Sequence, residues 1–122
     1  MRLTADDITG VVGILPTPAT PNADRWDAES TVNLPETEKM VRVVINAGVD
    51  VLMTTGTFGE CATLTWEELR DFVDCVVRTT NGKKPVFAGV TTLNTRDTIK
   101  LGKVLVDLGA DGLFVGRPMW LA

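Results

Sequence analysis

The chain has no histidine and no tyrosine in 122 residues. That removes the usual general base, the commonest metal ligand and the phenolic proton donor together. Any chemistry falls to Lys, Asp/Glu, Ser/Thr, Cys or the backbone. Cysteine is scarce: Cys61 and Cys75 fit neither a CxxC nor a metal-finger spacing, and two thiols do not make a disulfide framework. A reduced, cytoplasmic setting without a metal site is the expectation. No apolar run approaches the ~18 residues of a membrane span, and the stretch from Met1 to Asp7 lacks the apolar core of an export signal. Basic charge is in deficit, with 12 Lys+Arg against 16 Asp+Glu and a net charge of −4. Lys83-Lys84 is the sole basic pair, so neither nucleic acid nor an anionic membrane is the expected partner. What is present, 44% hydrophobic and 23% charged residues, is the composition of one packed globular domain.

The apolar residues fall in short runs separated by longer amphipathic stretches. Val11-Val12-Gly13-Ile14-Leu15 reads as a strand buried on both faces, ended by the proline-rich Pro16–Pro21 segment and a long polar loop through Trp26. Asn33, with Glu36 three residues on, caps a helix whose Leu34, Thr37, Met40, Val41, Val44 and Ile45 share one face and which stops at Gly48. Val51–Thr54 is the second strand. Thr65 with Glu68 forms a capping box for a helix carrying Leu69, Phe72, Val73, Val76 and Val77 and closed by Asn81-Gly82. Val86–Val90, a helix capped by Asn94 with Asp97, and Gly112–Val115 complete the pattern.

Four apolar strands alternating with three amphipathic helices predict an α/β fold with a parallel sheet and right-handed crossovers. A small doubly wound sheet and part of a (β/α)8 TIM barrel both accept it, although a whole barrel needs ~250 residues. The final strand, with no helix after it, favours the barrel: residues 1–122 as about four βα steps forming its N-terminal part.

Ligands in either architecture bind at the C-terminal ends of the strands. Those ends are Pro16–Pro21, Thr55–Glu60, Thr91–Asn94 and Gly116–Trp120, rich in Gly, Thr and Pro, with Glu60 and Arg117 as their charged exceptions. Hydroxyls and backbone N–H groups suit a carboxylate or carbonyl oxygen. On residues alone, Gly56-Thr57-Phe58-Gly59 is either such an anion site or a tight turn. Thr91 and Thr92 read as strand-end residues, Cys61 as an inert thiol without a base, and Trp26, Trp66 and Trp120 as packing groups or stacking surfaces. A phosphate loop is disfavoured because no Gly-Lys-Ser/Thr follows the glycines.

The stretch from Gly56 through Glu68, GTFGECATLTWEE, placed after an apolar strand, resembles the signature of the pyruvate-dependent class I aldolases of the dihydrodipicolinate synthase and N-acetylneuraminate lyase superfamily. Within it, Leu15–Pro21, Gly56–Thr63, Thr91–Arg96 and Pro118–Trp120 resemble the trans-o-hydroxybenzylidenepyruvate and carboxybenzalpyruvate hydratase-aldolases of aromatic hydrocarbon degradation. The resemblance implies a carbon–carbon lyase that hydrates an arylidene pyruvate and cleaves it to an aromatic aldehyde and pyruvate through a lysine Schiff base, with no cofactor. It implies that the Thr57 hydroxyl and the Phe58 N–H, on the Gly56 turn, hold the pyruvate carboxylate, and that Trp120 faces the aromatic group or packs. The family's lysine and tyrosine belong to strands beyond Ala122, so no catalytic residue is expected among Lys39, Lys83, Lys84, Lys100 and Lys103 and the chain is expected to be inactive alone. The full-length family is expected to be a homo-oligomer, a tetramer, and this portion a dimer or aggregate. The competing expectation is a noncatalytic half-barrel that binds a small carboxylate or self-associates.

Overall fold

A computed structural model describes residues 3–117. A 3-10 turn at Ala5–Asp7 leads to β1 (Val12–Ile14), followed by α1 (Leu34–Asn46), β2 (Val51–Thr54), a second 3-10 turn (Thr57–Gly59), α2 (Trp66–Thr80), β3 (Val86–Gly89), α3 (Thr95–Asp107) and β4 (Gly112–Phe114). The caps follow from local chemistry. Asn33 Oδ1 accepts the Glu36 N–H at 3.1 Å, and Asn94 Oδ1 accepts that of Asp97 at 2.9 Å. At α2 the box is reciprocal: Thr65 Oγ accepts the Glu68 N–H while Glu68 Oε2 accepts the Thr65 N–H. Gly48 and Gly109 end α1 and α3 with φ of 91° and 107°, a left-handed step that glycine takes freely.

The strands are all parallel and lie in the order β1-β2-β3-β4, in registers such as Val12 opposite Val51, Leu52 opposite Val86 and Phe87 opposite Gly112. Each crossover therefore advances in one direction. Right-handed connections then place all three helices on one face, as in a barrel wall, whereas a doubly wound sheet must reverse its strand order. The doubly wound alternative is excluded.

Two clusters fill the space between sheet and helices. Leu15, Val41, Leu52, Phe72, Val76 and Val86 form the first; Leu69, Val73, Ala88, Val90, Leu105 and Ala110 form the second. The opposite sheet face is covered unevenly, with Val51 at its centre 2% exposed and the edge strands open. Ile14 is 50% exposed and Phe114 40%, and no residue of β1 or β4 is fully buried, contrary to the two-faced burial their apolar runs predict. Their alternate side chains point to the concave side, which a closed barrel fills with layers of its own residues.

The starts of the strands are locked in pairs. Asp50, preceding β2, accepts the Val11 N–H through Oδ2 at 2.8 Å and returns its own N–H to the Val11 carbonyl at 2.9 Å. Asp111, preceding β4, does the same to Val86, with distances of 2.9 Å each way. These are the two Gly-x-Asp joins of the sequence.

Candidate functional site

At the opposite, C-terminal end of the sheet, the chain leaves β2 through Thr55 and Gly56 and winds into a 3-10 turn at Thr57–Gly59, with Glu60 left-handed at φ 61°. Its internal bonds run from the Gly59 N–H to the Gly56 carbonyl at 3.0 Å and from the Glu60 N–H to the Thr57 carbonyl at 3.2 Å. A turn this short has no acceptor for its leading donors. Among the described residues, the N–H groups of Thr57 and Phe58 and the Thr57 hydroxyl have no hydrogen-bond partner. Thr57 is exposed, as is Phe58 at 75%. Three donors from two adjacent residues thus point away from the turn's own bonds, a set suited to a carboxylate.

The other strands hold this turn in place. Thr17, in the proline-rich segment after β1, donates its hydroxyl to the Gly59 carbonyl at 2.8 Å. Phe114 of β4 lies against Gly56, where an added Cβ would come within 3.3 Å of the ring. Thr63 Oγ donates to Glu60 Oε2 at 2.8 Å, which engages the carboxylate nearest the turn within its own loop.

Of the residues singled out in the sequence, Gly56, Thr57 and Phe58 are brought together on one turn; Trp120 lies outside the described residues. Thr91 and Thr92 have structural partners: Thr91 Oγ accepts the Gly116 N–H at 3.0 Å and Thr92 Oγ donates to the Asn94 carbonyl at 2.6 Å. Burial pushes the Cys61 thiol up from its ordinary pKa, and the charge of Glu60 adds to the shift, so the thiolate is disfavoured. Trp66 packs beside the second core cluster, but Trp26 is 97% exposed and packs against nothing that shields it. It sits at the tip of an arm closed at its base by an antiparallel bridge between Ala19 and Val32, with bonds from Thr20 N–H to the Thr31 carbonyl and from Asn33 N–H to that of Pro18. The arm is tied to α2 by Thr31, whose N–H and hydroxyl both reach Glu68 Oε1, at 2.7 and 2.6 Å.

Lys84 lies at the far end of the sheet, its Nζ 3.6 Å from Asp50 Oδ1; Lys39, Lys100 and Lys103 are exposed helix residues. Among the described residues, no three His, Cys, Asp or Glu side chains gather as metal ligands, and no helix is long and apolar enough to cross a membrane.

A parallel sheet wound in one direction, with a donor-rich turn after β2, defines the class of the fold: a wall of a (β/α)8 barrel. The dihydrodipicolinate synthetase family profile matches residues 11–121, and the chain belongs to that family. It is 59% identical over 98% of its length to the trans-2'-carboxybenzalpyruvate hydratase-aldolase of Nocardioides sp. (strain KP7), and 52% identical over 98% to the trans-O-hydroxybenzylidenepyruvate hydratase-aldolase of Pseudomonas putida. The chain spans 36% of the length of each of these relatives. Among solved structures, PhdJ bound to a substrate intermediate superposes with a TM-score of 0.95 at 62% identity, over 98% of this chain and 37% of that one. YagE of E. coli K12, a dihydrodipicolinic acid synthase family protein in complex with pyruvate, gives 0.80 at 28% identity over 94% of this chain and 37% of that one. The fold is therefore the N-terminal part of the family's barrel.

Proposed function

We propose that this chain is the substrate-gripping part of a Schiff-base hydratase-aldolase acting on an arylidene pyruvate. The observation that carries this reading is the unpartnered donor set of the Thr57–Gly59 turn, at the end of the sheet where such barrels do their chemistry. The pyruvate carboxylate accepts from the Thr57 hydroxyl and from the N–H groups of Thr57 and Phe58. That grip presents the ketone carbon to a lysine amine supplied from outside these residues. Condensation expels water and leaves an iminium; water adds across the conjugated double bond. The new hydroxyl then gives up its proton as the carbon–carbon bond breaks, the electron pair passing into the iminium to leave an enamine and the aromatic aldehyde. A proton added to the enamine carbon restores the iminium, and its hydrolysis returns pyruvate and the free amine. The exposed ring of Phe58 is available to the aromatic group, and the family resemblance assigns Trp120 to the same role. The two open edges, β1 and β4, with their exposed Ile14 and Phe114, close against further strands of a barrel or a second copy of the chain.

Borohydride reduction in the presence of pyruvate tests the assignment. Lys39, Lys83, Lys84, Lys100 and Lys103 take no pyruvyl group, so the mass of the isolated chain stays unchanged. An adduct on any of the five overturns the claim that the Schiff-base lysine comes from elsewhere.

A further inference from the structure

Thr55, the link between β2 and the donor turn, has a backbone at odds with its side chain. Its φ is 47°, in the left-handed region that a β-branched residue rarely occupies. It is completely buried, and its hydroxyl donates to the Gly89 carbonyl at the end of β3, at 2.8 Å. Thr54 Oγ lies 3.2 Å from Thr55 Oγ. Because a hydroxyl has one proton and Thr55 gives its own to Gly89, Thr54 is the donor of that second bond. Gly89 is shaped to receive the link: a Cβ there would lie 2.2 Å from the Thr55 carbonyl oxygen and 2.5 Å from its carbon. The ends of β2 and β3 therefore interlock directly beneath Gly56.

Glycine is the residue that adopts a left-handed step without crowding. A threonine held there by two hydroxyl contacts is over-determined, and such backbone outliers persist where the surroundings fix them. Extended geometry at residue 55 would continue β2; the left-handed step diverts the chain into the Thr57–Gly59 turn. We propose that Thr55 is a positioning residue for the carboxylate grip, its hydroxyl anchored on Gly89 so that the Thr57 and Phe58 donors are held at a fixed angle to the ligand. This rests on the pyruvate-binding reading above and adds to it a residue that touches no ligand.

The test compares Thr55→Gly with Thr55→Ser in the 122-residue chain, titrating 15N-labelled protein with sodium pyruvate and following the Thr57 and Phe58 amide resonances. Glycine tolerates the backbone step, so the fold survives while the hydroxyl is lost. Pyruvate affinity falls about three- to tenfold in Thr55→Gly and is restored to within about twofold in Thr55→Ser, the range set by one buried hydrogen bond. Unchanged affinity in Thr55→Gly overturns the proposal. Failure of pyruvate to move any resonance of the natural chain sinks the carboxylate reading instead. Thr55 is then judged without ligand: Thr57 and Phe58 amide shifts that change in Thr55→Gly but not in Thr55→Ser uphold its positioning role, and shifts unchanged in both refute it.

Discussion

At one end of the sheet, Asp50 and Asp111 clamp the backbones of Val11 and Val86 with carboxylates; at the other, Thr17 and Thr55 clamp those of Gly59 and Gly89 with hydroxyls. Both devices join neighbouring strands, and both use side chain to backbone bonds that leave the parallel ladder intact. They differ in charge. A fixed carboxylate beside the Thr57 and Phe58 donors would compete for them and repel an anion, whereas a neutral hydroxyl braces the turn and leaves its donors free. One end spends its carboxylates on the backbone, and the end proposed to take the ligand is braced with hydroxyls.

Removing a carboxylate clamp is the strongest way to break this division. Asp111→Ala leaves the N–H of the buried Val86 without its partner, at a cost of about 1–3 kcal/mol. Asp50→Ala costs less, because the Val11 N–H it serves is exposed and water replaces the acceptor. Urea unfolding of the two variants measures the gap, and pyruvate binding by the folded fraction stays unchanged in both. Equal losses from the two aspartates would show that burial does not decide their contributions.

How far the sequence discloses this arrangement depends on the range of the interaction. Caps are legible because donor and acceptor lie three residues apart: Asn33, Thr65 and Asn94 all cap the helices their spacing predicts. The Gly-x-Asp joins are legible as a repeat, but the partners of the aspartates are not, since Asp50 and Val11 lie 39 residues apart in the chain. The turn after β2 is marked by its glycines and its resemblance to a family signature. Its braces carry no such mark, because Thr17, Thr55 and Phe114 meet it only through the register of four strands. Strand hydrophobicity misleads in one respect. Ile14 and Phe114 read as buried on both faces because their apolar character answers to a complete barrel interior, not to the surface they present here.

Thr57→Val sharpens the comparison from the ligand end. The exposed hydroxyl has no partner among the described residues, so its loss leaves the unfolding free energy within about 0.5 kcal/mol of the natural chain and the midpoint nearly unmoved. Pyruvate affinity drops about tenfold, the size of one hydrogen bond to a charged group. The Asp111→Ala pattern is thereby reversed: binding is lost and stability kept. A midpoint that falls together with affinity would mean that the turn contributes to folding as well as to recognition.

The smallest effect concerns Glu68, the carboxylate that ties α2 to the Trp26 arm. Partial burial opposes its ionisation, but bonds from the Thr31 hydroxyl, the Thr65 N–H, the Thr31 N–H and the Thr65 hydroxyl together hold its carboxyl below the usual carboxylate range. A depressed folded pKa means that the stabilisation is fully present above the unfolded value and is lost as pH falls through the folded one. Acidification therefore loosens the link between α2 and the Trp26 arm, because a protonated carboxyl accepts fewer bonds. The protection of the Thr31 amide against hydrogen exchange, relative to its intrinsic rate, falls below the ordinary glutamate range, and Glu68→Gln, which does not titrate, removes that acid-dependent step. If the step persists in Glu68→Gln, another acidic group holds the arm.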